Sequence, residues 1–201
     1  MEAILQPPSI PVAISEETIG KGETSLAMHC HDRTFQNTTV LGEAGEKVFT
    51  VESKGSGSLS WRRTVKDASG AHIFDLRHFG YAFKNKWAVE SPSSREIGTL
   101  RMVKALGREH SAFDMVVLNE ADKGNEVNVE IRPNDRSALM TRVNIDGSPV
   151  AEIRVLESND VVNLRDKDRS VWEARLAGGV DRALVLAIML CRAEQHHVYR
   201  Q

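Results

Sequence analysis

Apolar and polar side chains alternate along most of this chain with a period of two residues. Phe49 and Val51, for example, alternate with Thr50 and Glu52. Such alternation is typical of strands with one face on a core and one in water, which is the pattern of an antiparallel sheet. The other alternating stretches place these sets on one face: His72, Phe74 and Leu76; Phe113, Met115 and Val117; Val127, Val129 and Ile131; Ala151, Ile153 and Val155; and Trp172, Ala174 and Leu176.

Short turn signals separate these stretches. They are residues 42–45, Gly55-Ser56-Gly57, Ala68-Ser69-Gly70, Lys123-Gly124-Asn125 and Asp146-Gly147. Asp-Gly is a strong hairpin signal because both central residues of a type I′ turn need positive φ. The spacing of the signals predicts about eleven or twelve strands, joined mostly by hairpins.

The C-terminal part of the chain follows a different pattern. Residues 184–190 are all apolar, which covers about two helical turns, so every direction around a helix axis is apolar there. Val180 and Asp181 precede this run, and an acidic side chain suits the positive end of a helix dipole. A buried strand is the alternative, but the lack of Gly, Pro or alternation from Asp181 to His197 favours a helix over about 180–197.

A helix that is apolar on all sides has to be enclosed. The diameter of a closed barrel grows with its number of strands, and eleven or twelve strands can house a helix. We therefore predict a mainly β fold, a closed antiparallel barrel of about twelve strands around a hydrophobic C-terminal helix. Residues 23–201 form this single domain, and residues 1–22 form an extended lead-in from which Ile10, Val12 and Ile14 pack onto it.

Particular residues add a family resemblance to this architecture. Trp61-Arg62-Arg63-Thr64-Val65-Lys66-Asp67-Ala68-Ser69-Gly70, then Lys86-Trp87-Ala88-Val89, and finally Gly179-Val180-Asp181-Arg182-Ala183-Leu184 resemble stretches of the LURP-one-related family. That family shares its fold with the tubby C-terminal domain and the phospholipid scramblases. The resemblance implies a twelve-stranded barrel around a C-terminal helix. It supplies no catalytic residues, and by analogy it points to binding of phosphoinositides or action at membranes.

Charge is unevenly distributed along the chain. Residues 54–108 carry eleven Lys and Arg against four Asp and Glu, although the whole chain has a net charge of −2. Such asymmetry can mark an anionic partner, or the strands can spread the charges over different faces. We predict a weak site for anionic lipid in this segment, since each basic residue near such a surface contributes about 1 kcal/mol. Its candidate residues are Arg62, Arg63, Lys84, Lys86, Arg101 and Lys104.

Other side chains that could carry chemistry have simpler interpretations. His29 and His31 share a strand face and offer two metal ligands at most, so we predict ordinary histidines and no metal site. No Gly-x-Ser-x-Gly elbow marks a Ser-His-Asp triad. Cys30 and Cys191 fit two buried thiols in a reducing compartment better than the alternative, a disulfide between them, and burial in an apolar helix raises the pKa of the Cys191 thiol. We predict no catalytic residue and no cofactor.

These features favour a non-enzymatic binding or scaffold protein. We expect it in the cytoplasm, peripheral to membranes if the lipid hypothesis holds, because the chain shows no signal peptide and its apolar run is too short for a bilayer span. We also expect a monomer that does not bind nucleic acid. Two alternatives stay open, a protein-interaction module without a lipid role and an undetected hydrolase with Ser, His and Asp gathered in a cleft.

Overall fold

Twelve antiparallel strands form a closed barrel in which each strand pairs with its sequence neighbours and the first strand pairs with the last. The computed structural model describes residues 3–32, 37–53, 61–79, 86–103, 112–134, 139–158 and 169–198. The strands are β1 (Thr24–Cys30), β2 (Asn37–Gly42), β3 (Lys47–Ser53), β4 (Trp61–Asp67), β5 (His72–Phe79), β6 (Lys86–Glu90), β7 (Glu96–Val103), β8 (Ala112–Asn119), β9 (Asn125–Pro133), β10 (Met140–Ile145), β11 (Ser148–Ser158) and β12 (Ser170–Leu176). The helix α1 is Arg182–Val198, and two 3-10 turns are Glu16–Thr18 and Glu120–Asp122. The predicted fold class is confirmed.

Alternate residues of each strand form the inner and the outer face of the barrel wall, as the sequence pattern predicts. Phe49, Phe113 and Trp172 are at most 1% exposed and belong to the same core cluster as the helix. Val155 is only partly buried, because the register of β11 against β12 shifts between Val155 and Glu157 and leaves Leu156 half exposed. Such a bulge inserts one extra residue and turns the following side chains.

The Asp-Gly signal marks a tight hairpin between β10 and β11. Asp146 and Gly147 have φ of 50° and 77°, as a type I′ turn requires.

The helix fills the inside of the barrel. Its residues 183–191 are at most 1% exposed. Asp181 precedes the first helical residue, and its Oδ1 accepts a hydrogen bond from the Ala183 N–H at 2.7 Å, which satisfies a donor that lacks an intrahelical partner. No helix in the described part of the chain has both the length and the hydropathy to cross a membrane.

The lead-in packs against the end of the barrel at which α1 begins. Val12 and Ile14 are 2% and 5% exposed, as predicted, and Val12 forms a parallel bridge with Val180. The prediction for Ile10 is wrong, since its side chain is 50% exposed.

Candidate functional site

The basic residues of β4 divide between the two faces of the barrel. Arg62 lies on the outer face, whereas Arg63 lies on the inner face with Val65 and is only 2% exposed. Arg63 is therefore removed from the predicted lipid-binding set. Its burial follows from the period of two, because adjacent residues on a strand point to opposite faces. The alternation along β4 is the signal in the sequence that assigns Arg62 and Arg63 to opposite faces.

Arg63 reaches a carboxylate near the C-terminal end of the helix. Its Nη1 donates to Glu194 Oε2 at 2.8 Å, and Trp87 Nε1 donates to the same oxygen at 3.1 Å. His78 Nδ1 lies 2.7 Å from the other oxygen, Oε1 of Glu194. The His78 ring stacks on Trp87 with ring centroids 4.4 Å apart. This cluster attaches the helix to β4, β5 and β6.

The charge of Glu194 is stabilised inside the protein. Burial would raise the pKa of this carboxyl, but the Arg63 guanidinium and the His78 ring outweigh that effect and lower the pKa to about 2. A buried, ionised carboxylate with such partners keeps the helix end in one orientation. We interpret the cluster as structural, since Arg63, His78 and Trp87, which contact Glu194, belong to the barrel wall.

The outer face of β4 to β6 carries an ion-pair network. Arg62 donates to Asp75 at 3.1 Å and to Glu90 at 2.7 Å, and Arg77 donates to the other oxygen of Glu90 at 2.8 Å. His72 Nε2 also lies 3.2 Å from Asp75. Asp75 and Glu90 are only 4% and 6% exposed although they face outward, because these neighbouring side chains cover them.

Lys86 and Arg101 lie directly opposite each other on β6 and β7. Like charges in this position repel, and Glu96 relieves the repulsion by accepting a hydrogen bond from Lys86 at 3.1 Å. Burial raises the pKa of Glu96, but hydrogen bonds from Thr99 and Lys86 together with the charge of Arg101 lower it overall. Arg101 is exposed. We call the outer side chains Arg62, Asp75, Arg77, Lys86, Glu90, Glu96 and Arg101 the charged face.

The predicted set is thus only partly brought together. Lys86 and Arg101 are neighbours, and Arg62 lies on the same outer surface but two strands from Lys86. Lys84 and Lys104 lie outside the described residues. Carboxylates interleave with the cations, so within the described part of the chain the charges alternate rather than form one positive surface.

The histidine and cysteine predictions can be compared with the structure as well. Cys30 points inward and is fully buried, His31 is exposed, and His31 Nε2 lies 3.0 Å from Thr39 Oγ1. The described residues contain no group of three or more His, Cys, Asp or Glu arranged to hold a metal ion. Cys191 is a buried free thiol whose pKa is raised well above its usual value by desolvation, as predicted.

A serine and a histidine meet near the C-terminal end of α1. Ser158 Oγ lies 3.2 Å from His196 Nε2, and Trp172 packs edge-on against the His196 ring with centroids 5.5 Å apart. A hydrolase also needs donors for an oxyanion and a group that orients the imidazole. The Ser158–His196 contact alone therefore does not define an active site.

A polar groove of about 240 Å³ lies on the outside where the barrel closes. Two ion pairs cross it, Arg175 to Glu23 at 2.7 Å and Arg154 to Glu173 at 2.5 Å. Sequence reasoning missed this groove because the pairing of β1 with β12 brings together residues from the two ends of the chain. Its lining residues are Glu23, Thr24, Ser25, Glu43, Arg154, Glu173 and Arg175.

The fold and its buried helix define a class of closed barrels that carry a helix as their core. Within that class, the family model for LURP-one-related proteins matches residues 24–193, and the chain belongs to this family. A crystal structure of a protein from Arabidopsis thaliana has a similar fold, with a TM-score of 0.63 and 15% identity, over 92% of this chain and 98% of that one. At this identity the similarity concerns the fold alone. A comparison with curated proteins finds no match.

Proposed function

We propose that this LURP-one-related protein is a non-enzymatic binding or scaffold protein that recognises a protein partner through the charged face. The observation that carries the proposal is the filled interior of the barrel. The helix residues 183–191 and the inward side chains of the strands occupy the same core cluster. A partner of appreciable size therefore meets the protein at its outer surface.

The alternation of charges favours a protein partner over a uniformly anionic one. Complementary patterns of positive and negative charge give protein interfaces their specificity and speed their association. On the charged face, Glu90 lies between Arg62 and Arg77, and Glu96 pairs with Lys86. A partner with the reverse pattern of charges would therefore be matched at several points. A membrane surface offers no such pattern of signs.

The proposal is tested by charge reversal. We compare the proteins retained at physiological salt by the immobilised wild type, by a Lys86→Glu/Arg101→Glu variant and by a Lys47→Glu control, which reverses an exposed residue of β3. We expect a partner that binds the wild type and the control but is lost with the double variant. A set of bound proteins that is the same for all three baits contradicts a role for the charged face.

Docking to anionic phospholipid is the second candidate, and one observation favours it. Lys86 and Arg101 lie opposite each other, and Arg101 is exposed. Two cations next to an anionic surface contribute about 2 kcal/mol, which supports only weak and salt-sensitive association. Arg62 could add to this pair, whereas Arg63 is buried and cannot contact a membrane surface.

Co-sedimentation separates this candidate from the first. Liposomes containing phosphatidylserine or phosphoinositide are compared with neutral ones at low and at physiological salt. Binding that falls with salt and disappears in a Lys86→Ala/Arg101→Ala variant, but persists in Lys66→Ala, would support lipid docking. Absence of binding at low salt would rule it out.

A further inference from the structure

The polar groove lies on the outer wall where the barrel closes. The pairing of β1 with β12 places Ser25 opposite Arg175, and the pairing of β12 with β11 places Glu173 opposite Arg154. The turn after β2 adds Glu43 to the same lining. Side chains from distant parts of the chain thus form one concave surface, and all of them are polar or charged.

Two ion pairs hold the walls of the groove in place. Arg175 donates from Nε at 3.2 Å and from Nη2 at 2.7 Å, in both cases to Oε1 of Glu23. Arg154 Nε donates to Oε2 of Glu173 at 2.5 Å. The side chains of Arg175 and Glu173 are only 26% and 25% exposed, so these pairs are partly shielded from water. Both arginines of the groove are therefore already bound to carboxylates.

One carboxylate of the groove has no cation of its own. The lining contains three glutamates against two arginines, which gives a net charge of −1. Glu23 and Glu173 belong to the two ion pairs. Within the described residues, no hydrogen bond or ion pair involves the side chain of Glu43. The groove as a whole is thus short of one positive charge.

The hydrogen-bonding groups that the groove offers to a ligand are mostly acceptors. The bonds of the two arginines use Oε1 of Glu23 and Oε2 of Glu173, which leaves the second oxygen of each carboxylate beside the oxygens of Glu43. The hydroxyls of Thr24 and Ser25 also line the groove, and a hydroxyl can donate or accept. Ammonium and guanidinium groups carry N–H donors and no acceptor. The groove therefore favours a cation that is rich in donors.

The size of the groove decides how much of a ligand it holds. Its volume is about 240 Å³. Pockets that enclose a whole small molecule measure about 300–1,000 Å³ and bury most of the surface of the ligand. This groove is smaller and lies on the outer wall, so it accommodates the end of one side chain. Most of the contact area then has to come from the surrounding surface, which indicates a protein as the source of the cation.

We propose that the polar groove is a second recognition site, which binds the cationic side chain of a lysine or arginine presented by a partner protein. The cation lies between Glu43, at the β2 side, and Glu173 on β12, and it brings the net charge of the groove to zero. The site is separate from the charged face. In the closed barrel, β12 and β1 lie opposite β6 and β7, which carry Lys86 and Arg101. Two partners can therefore bind at the same time, as a scaffold requires.

The first experiment titrates small probes into the isotope-labelled full chain and follows the amide signals by NMR, which detects weak association. The probes are blocked tripeptides, acetyl-Ala-X-Ala-amide, in which X is Arg, Lys, norleucine or Glu. We expect the Arg and Lys peptides to shift the amide signals of Thr24, Ser25 and Glu173 in a saturable way, whereas the other two peptides leave them unchanged. Equal shifts with norleucine, or no saturable shift of these signals with Arg and Lys, would overturn the proposal.

Two matched variants test the role of the carboxylate without a cation. Glu43→Gln should weaken binding of the Arg peptide about five- to ten-fold, because it removes the charge and keeps the shape of the side chain. Glu46→Gln is the control and should bind as the wild type does, since Glu46 is an exposed residue of the same hairpin that does not line the groove. An affinity that is unchanged in Glu43→Gln, or that falls equally in both variants, contradicts the site.

A third variant separates the groove from the charged face. Lys86→Glu/Arg101→Glu should lose the partner of the charged face and yet show the same shifts of Thr24, Ser25 and Glu173 with the Arg peptide. Shifts confined to β6 and β7 of the wild type would place the peptide on the charged face. That result would overturn the groove as a recognition site and leave the proposed function of the charged face standing.

Discussion

Two buried carboxylates, one at each end of α1, respond to burial in opposite ways. Asp181 accepts hydrogen bonds from three backbone N–H groups and one hydroxyl, yet desolvation outweighs them and its pKa is raised. Desolvation acts on Glu194 in the same direction, but Arg63 and His78 reverse it and bring the pKa to about 2. The two sites differ because a cation lies beside Glu194, whereas only hydrogen-bond donors surround Asp181 in these contacts. A full positive charge in a medium of low dielectric constant outweighs several dipoles. One end of the helix is thus fixed by an ion pair, and the other by hydrogen bonds that Ile14, Ser15 and Thr18 donate to Asp181.

The largest expected effect comes from removing the cation at the Glu194 end. Arg63→Met leaves a buried carboxylate without its guanidinium, and we expect the free energy of unfolding to fall by about 3–5 kcal/mol. Urea denaturation measures the change. The double variant Arg63→Met/Glu194→Leu should recover part of the loss, because it no longer buries an uncompensated charge. A single variant as stable as the wild type would show that the ion pair contributes little.

The pH dependence should distinguish the two carboxyls. The folded pKa of Glu194 is about 2, below the unfolded value of about 4.3, so its contribution is present above pH 4.3 and is lost as the pH falls towards 2. Each unit of pKa difference corresponds to about 1.4 kcal/mol, so the free energy of unfolding should fall by roughly 3 kcal/mol. Glu194→Gln should abolish this acid-dependent decrease in a series of urea unfolding curves.

The contribution of Asp181 to stability depends on pH in the opposite direction. Its folded pKa is raised, so its contribution is present below the unfolded value of about 3.9 and is lost as the pH rises through the folded pKa. Acidification from neutral pH should therefore increase the contribution of Asp181 to the free energy of unfolding. Urea denaturation of the wild type and of Asp181→Asn, compared between about pH 7 and about pH 5, measures the effect, and the wild type should gain relative to the variant as the pH falls. A difference between the two proteins that does not change with pH would contradict it.

Loss of the Asp181 carboxylate should be somewhat less damaging than loss of Arg63. Asp181→Ala removes a helix cap and leaves the N–H groups of Ile14 and Ser15 without their acceptor, which should cost about 2–3 kcal/mol. Asp181→Asn keeps an acceptor oxygen and should cost less. Thermal unfolding of the two variants tests this order, and equal losses would indicate that the charge matters more than the hydrogen bonds.

The smallest effect is expected for the arginine next to Arg63. Arg62→Met breaks ion pairs with Asp75 and Glu90, but the Arg62 side chain is 31% exposed and its interactions are screened by solvent. The free energy of unfolding should fall by at most about 1 kcal/mol, and less at high salt. The two variants, Arg62→Met and Arg63→Met, place the same substitution at adjacent positions. Equal effects would contradict the assignment of the two residues to opposite faces.

Sequence reasoning succeeded wherever the structure depends on local periodicity. The alternation around Phe49 and Phe113 predicted inward side chains, Asp146-Gly147 predicted a tight turn, and the apolar run 184–190 predicted an enclosed helix. It did not show how the candidate basic residues are arranged, because a charge count along residues 54–108 does not record which side chains become neighbours. Arg62, Lys86 and their carboxylates come together only through strand register.

The sequence by itself determined the barrel, its core helix and the helix cap, because the periods of strand and helix and the preferences of turns and caps act over a few residues. Only the tertiary structure decided that Arg63 contacts Glu194, that the lead-in reaches Asn119 and Asp181, and that the charged face alternates in sign. These contacts join residues more than 100 positions apart or on neighbouring strands. They depend on strand register and on how the helix and the lead-in are placed in the closed barrel, which no local pattern encodes.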